Sequence, residues 1–160
     1  MKHLPKHLRP RWRYLAVELE AWPDAGVRRG EFQRAVWFAA ANLLGDPGSA
    51  DADLRVVEYS FRDGAGEALV RARRGEVDRA RAALACVSEV RGDPVRVAVR
   101  GVSGTMRAAE ENYLGETAEP SREDDVAFGG GGERSGVARG ERVDVDDAGS
   151  WVGATRRDHG

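Results

Sequence analysis

Lys2, Lys6, Arg9, Arg11 and Arg13 all precede the first acidic residue, Glu18, so the chain opens as an arm with a positive field. Arg28, Arg29 and Arg34 mark the start of a helical pattern. Arg71, Arg73 and Arg74 close a strand pattern, and Arg107 follows near the end of the ordered pattern. Lysine occurs only at Lys2 and Lys6, which leaves arginine as 23 of the 25 basic residues. A guanidinium meets a phosphate or a carboxylate through two parallel N–H donors, a geometry that an ammonium lacks. Each cluster taken singly reads as solvated or locally paired surface. Together they point to phosphate contact, and hence to nucleic acid.

Bond-breaking chemistry finds no comparable set, so no catalytic residue and no metal ligand is expected. The carboxylates stand singly or as neighbours such as Glu110 and Glu111, which point different ways on a helix. His3, His7 and His159 lie near the chain ends, away from any rigid frame, so a Ser/His/Asp set cannot be assembled. The glycine-rich stretches match neither GxxxxGK[ST] nor GxGxxG. Cys86 is the sole cysteine; it excludes an internal disulfide, and its alanine-rich setting predicts a small buried or half-buried thiol. No cofactor held by the protein is expected. Trp37, Tyr59 and Phe61 could extend an apolar surface for a protein partner, with core packing as the competing role.

These side chains need a frame, and the first 115 residues supply one. Leu15, Val17 and Leu19 alternate in a strand beginning near Arg11. Phe32, Ala35, Val36, Ala39, Ala40, Leu43 and Leu44 repeat at helical spacing, with Gly45 placed as the stop and DPGSADAD as a loop. LRVVEYSFRD and GEALVRARR read as two strands joined by a tight turn at Asp63-Gly64-Ala65-Gly66. EVDRARAALACVSEV predicts a second helix, with Gly92 past its end, and Val95, Val97 and Val99 alternate in a fourth strand.

This β-α-β-β-α-β order is the split βαβ plan of ferredoxin-like and RNA-recognition folds, an α+β sandwich. GVSGTMRAAEENYLG then adds a short terminal helix. Its glycine loop could receive an anion at the N–H groups of residues 103–105, or simply launch the helix. VRVAVRG and EALVRARR carry no aromatic residues, which argues against base stacking across the open sheet and leaves recognition to arginine and shape.

The net charge of −2 hides an asymmetry. Residues 1–115 hold 19 basic against 16 acidic residues, whereas 116–160 hold 6 against 11. The division expected is therefore a basic arm over 1–10, a folded domain over 11–115 and a disordered acidic, glycine-rich tail over 116–160. Gly129 to Gly132 reads there as a flexible joint, and Trp151 as an exposed tail residue or a short docking motif. Acidic surface suits a salt-rich cytoplasm, and the arginine excess suits either that or a GC-rich genome. No apolar run is long enough to span a bilayer, and the N-terminus lacks the apolar core of a secretory signal, so a cytoplasmic protein without a membrane partner is expected.

Four stretches in order, LPKHLRPRWRYLAV, GVRRGEFQRAVWFAAANLLGD, GEALVRARRGEVDRARAALA and GVSGTMRAAEENYLG, resemble the archaeal ribonuclease P protein component 2 family. The resemblance covers residues 4–115 and leaves the acidic segment outside. It implies a non-catalytic subunit of the ribonucleoprotein that removes 5′ leaders from precursor tRNA. By the same resemblance the RNA subunit carries the active site with bound Mg²⁺, and component 3 and other ribonuclease P proteins are partners. Precursor tRNA would be met through the holoenzyme. Two other readings of the residues are a ferredoxin-like regulatory domain that binds a small ligand and dimerises through its sheet, and a general RNA-binding adaptor.

Overall fold

The computed structural model describes residues 11–115, 121–127, 133–139, 142–147 and 150–155. The first span runs β1 (Trp12–Ala21), α1 (Arg29–Ala52), β2 (Arg55–Arg62), β3 (Ala65–Arg73), α2 (Val77–Ala85), β4 (Glu89–Val90), β5 (Asp93–Ser103) and α3 (Met106–Tyr113). Its strands form one antiparallel sheet in the order β2-β3-β1-β5-β4. Without the two-residue β4 this is the ferredoxin-like arrangement expected from the element order.

The strand alternation sets the first face. Leu15, Val17 and Leu19 are fully buried, opposite Val70, Ala68 and Gly66 of β3. Phe32, Val36 and Ala40 of α1 and Ala80, Ala83 and Leu84 of α2 join the same core. Buried alanines on both helices let their backbones approach closely. Asp63 and Gly64, both at positive φ (50° and 79°), form the tight β2–β3 turn. That conformation suits the right-handed twist of a two-residue hairpin.

The second face departs from a sheet covered on one side. Leu15, Ala16 and Val17 are buried consecutively, which alternation on a half-exposed strand cannot produce. Ala16 pairs with Leu69 on one side and Gly101 on the other, making a row across three strands. α3 lies over that row, with Ala109 fully buried and the Tyr113 ring resting on Gly101, where a side chain would overlap the ring. The terminal helix is therefore a lid on the face opposite α1 and α2.

Several local expectations are corrected. DPGSADAD is helical: Gly45 breaks the helix at φ 72°, and Pro47 restarts it in a first turn that needs no N–H from it. Asp53, left-handed at φ 47°, closes it by donating its N–H to Ser49 O at 3.0 Å. α2 stops at Ala85 instead of running to Val90, because Val87 turns into the core and Glu89–Val90 pairs with β5. Arg91 and Gly92, at φ 49° and 83°, are that hairpin's turn, so Gly92 is not a helix stop. Cys86 is exposed, since it caps the shortened helix on its solvent side.

The acidic segment is also corrected. Its described residues form β6 (Ser121–Ala127), β7 (Glu133–Arg139), β8 (Arg142–Asp147) and β9 (Ser150–Thr155), an antiparallel meander rather than a disordered tail. Four short strands pair their backbones where each alone is too short and too charged to persist. Gly153 sits against the Trp22 ring, 3.7 Å from where its Cβ would be, and Val137 and Asp144 are buried. Trp151 is half-buried on β9. The arm at 1–10, with Lys2, Lys6 and Arg9, His3, His7 and His159, and Gly129–Gly132 lie outside the described residues.

Candidate nucleic-acid interface

α3 leaves the two ends of the sheet's second face open, and they differ in charge balance. Toward the C-terminal end of β1, Arg96 donates to Glu20 at 3.1 Å and Arg100 pairs with Glu18. There too the Gly115 N–H donates to the Glu67 carboxylate at 3.1 Å. Each cation at that end has an acid in reach.

The other end is built from the start of β1 and the end of β3. Antiparallel register sets Trp12 opposite Arg73 and Tyr14 opposite Arg71, on the same face. The Arg71 guanidinium lies 3.9 Å from the centroid of the Trp12 ring, and that of Arg73 lies 5.9 Å away. A guanidinium is attracted to the negative face of an indole ring at such separations. Arg74 N–H donates to Arg11 O at 2.9 Å, holding those two residues side by side. Arg13 comes within reach of Gly104, where a side chain would collide with its guanidinium. Among the described residues none of Arg11, Arg13, Arg71 and Arg74 has a carboxylate partner. Asp53 is paired at this end, 3.8 Å from Arg73 and 3.9 Å from Arg55. Uncompensated arginines on one rim attract polyanions.

Five of the twelve basic residues singled out from the sequence thus converge: Arg11, Arg13, Arg71, Arg73 and Arg74. Arg28 and Arg34 stand exposed at the start of α1. Arg29 is committed elsewhere, donating through Nη2 to Val56 O (2.9 Å) and Val57 O (3.1 Å) and so tying α1 to β2. Arg107 bonds to Glu111 one turn on, at 2.8 Å. The start of α3 is self-capped, because the Thr105 hydroxyl accepts from Ala108 N–H at 3.2 Å. Glu31, at the start of α1, accepts from Arg91 Nη1 at 2.9 Å, and that hydrogen bond holds its carboxyl below the usual carboxylate range.

The aromatic expectations divide. Tyr59 donates its hydroxyl to Val27 O at 2.5 Å and stacks on Phe32, with ring centroids 5.9 Å apart; burial pushes its pKa up. Phe61 is half-buried against the core. Both act in packing. Trp37 is 42% exposed, with its indole N–H on Leu54 O at 2.7 Å and Arg55 6.0 Å from its ring. Phe38 and Leu43, more exposed still, share the outer side of α1.

Trp12 and Arg55 were not among the singled-out residues. The signal for Trp12 was present in the run Arg11-Trp12-Arg13, an aromatic between two guanidinium groups. Arg55 had none, since only strand pairing brings it opposite Arg71.

The sequence profile of the Rpp14/Pop5 family matches residues 13–114. The chain belongs to that family. A relative from Halobacterium salinarum named ribonuclease P protein component 2 is 72% identical, over 100% of this chain and 98% of its own. A protein of the same name from Halorubrum lacusprofundi is 60% identical over 99% of both chains. One from Methanosarcina acetivorans is 38% identical, over 71% of this chain and 82% of its own. The family profile stops at residue 114, whereas the haloarchaeal alignments run through the acidic strands as well. Among the described residues no helix is long and apolar enough to cross a membrane.

Proposed function

We infer that the chain is a non-catalytic protein subunit of ribonuclease P that contacts the RNA subunit through the Trp12–Arg71–Arg73 end of its sheet. The observation that carries the inference is the charge balance of one rim. Arginines are paired with acids at one end, whereas at the other Arg11, Arg13, Arg71 and Arg74 have no carboxylate partner among the described residues, in a member of a family whose curated relatives bear that subunit's name. Lys2, Lys6 and Arg9 precede Arg11 in the sequence and are proposed as further RNA contacts. Phosphates neutralised there repel one another less, so the RNA folds with less free Mg²⁺. Chemistry stays with the RNA and its bound Mg²⁺, and precursor tRNA is met through the holoenzyme in the cytoplasm. Component 3 is the expected protein partner, and the exposed Trp37, Phe38 and Leu43 on α1 suit a protein surface.

The regulatory-domain alternative needs a free sheet face for dimerisation, and α3 occupies it. Reconstitution provides the test: RNA subunit and partner proteins at limiting Mg²⁺, with and without this chain. Faster 5′ leader removal is expected with the chain, and a smaller gain with Arg73→Gln/Arg74→Gln. No gain from the unaltered chain sinks the reading; RNA binding without any effect on cleavage favours the adaptor.

A further inference from the structure

Arg71 does more at the Trp12 rim than add charge. Its guanidinium carbon stands over the indole, 3.9 Å from the ring centroid. Its Nε is shut off from water and has no acceptor among the described residues. A buried donor without an acceptor is unusual in a finished core and is relieved when a ligand brings the acceptor. Asp53 pairs with Arg73 and Arg55.

We propose that Trp12, Arg71 and Arg73 form a stacking site for an unpaired nucleotide, so that this rim takes single-stranded RNA in preference to duplex. The proposal rests on the RNA-binding reading above and names the kind of RNA. Bases stack on guanidinium planes as well as on aromatic rings, which makes a base–Arg71–Trp12 column. An A-form duplex hides its base faces and offers phosphates and 2′-hydroxyls, for which an indole is of no use. Arg11, Arg13 and Arg74 lie at the same end of the sheet, without a carboxylate partner among the described residues, for phosphates further along the strand. α3 covers the row Leu69–Ala16–Gly101, so the stack is confined to one end of the sheet. At high salt the counterion-release part of affinity fades, and stacking carries a larger share of what remains.

The test titrates the full chain, in molar KCl, with labelled single-stranded RNA of about ten nucleotides and with a hairpin duplex of similar length. Binding to the single strand is expected to be about ten-fold tighter. Arg71→Lys keeps the charge but loses the plane, and should weaken the single strand roughly ten-fold while leaving the salt slope unchanged. Arg74→Gln should instead lower the slope by about 0.7. Trp12→Ala should match Arg71→Lys; because it also removes packing, Arg71→Lys decides if circular dichroism shows that variant unfolded. Equal affinity for strand and duplex, or Arg71→Lys binding like the unaltered chain, overturns the proposal. If the unaltered chain still stimulates leader removal in the reconstituted enzyme, the stacking site alone is discarded and the subunit reading stands.

Discussion

Replacing Gly101 with alanine sets a methyl group into the space held by the Tyr113 ring. Three ring atoms are too close for a small adjustment, so either Tyr113 swings away or α3 lifts from the sheet. Tyr113 is half-buried; about 100 Å² of aromatic contact is at stake. At about 25 cal/mol per Å² that is roughly 2.5 kcal/mol. Stiffening the unfolded chain by losing a glycine works the other way, by about 0.4–1 kcal/mol. The net expectation is a loss of about 2 kcal/mol, or about 8 °C in Tm for a domain of this size. With only eight residues α3 does not persist alone, so it should loosen as a unit and expose Arg107 to trypsin. Urea denaturation of four chains tests the cause: unaltered, Gly101→Ala, Tyr113→Ala and both together. Once the ring is gone, Gly101→Ala should be neutral or slightly stabilising. A loss below about 0.5 kcal/mol in the unaltered background, or an equal loss in both backgrounds, would refute the lid placement.

Two further outcomes follow from single contacts. Arg29→Ala should lower stability by about 1 kcal/mol by unmaking two bonds to β2 carbonyls at the protein surface, and denaturation midpoints will show whether Arg29→Lys restores part of it. Glu58 is held above the usual carboxylate range, first by its hydrogen bond with Glu110, then by local desolvation and by the Glu110 charge, with Arg29 opposing. The folded state therefore binds the Glu58 proton more tightly than the unfolded chain, and stability falls as pH rises through the gap between the two values. Glu58→Gln should be the more stable chain at neutral pH, with its advantage vanishing below the usual carboxylate range; a gap independent of pH between 3 and 7 is the adverse result.

What could be read without coordinates was local and periodic. Leu15, Val17 and Leu19 announce a strand because side chains alternate every second residue. Phe32, Val36, Ala39 and Ala40 announce a helix by the 3.6-residue turn, and Asp63-Gly64 a hairpin by the positive φ that it requires. The segment after Glu116 escaped because its strands are short and charged, so that pairing with one another, not any single strand's pattern, makes them. The run Arg11-Trp12-Arg13 was legible in residue type but not in consequence. Trp12 and Arg71 are 59 positions apart, and only strand register makes them touch.

Element order, the first core face, the arginine excess and the family signature were all written along the chain, because each depends on neighbours in sequence. Two matters waited for the fold. Met106, Ala109 and Tyr113 show that α3 has an apolar side, but Gly101 on β5 settles which face of the sheet receives it. The basic residues show an abundance of charge, but long-range pairing divides them: Arg96 and Arg100 are cancelled by Glu20 and Glu18, and Arg29 is spent on β2. Arg11, Arg13, Arg71 and Arg74, at the Trp12 end, have no carboxylate partner among the described residues. Charge is a property of a residue, whereas available charge is a property of what the fold places around it.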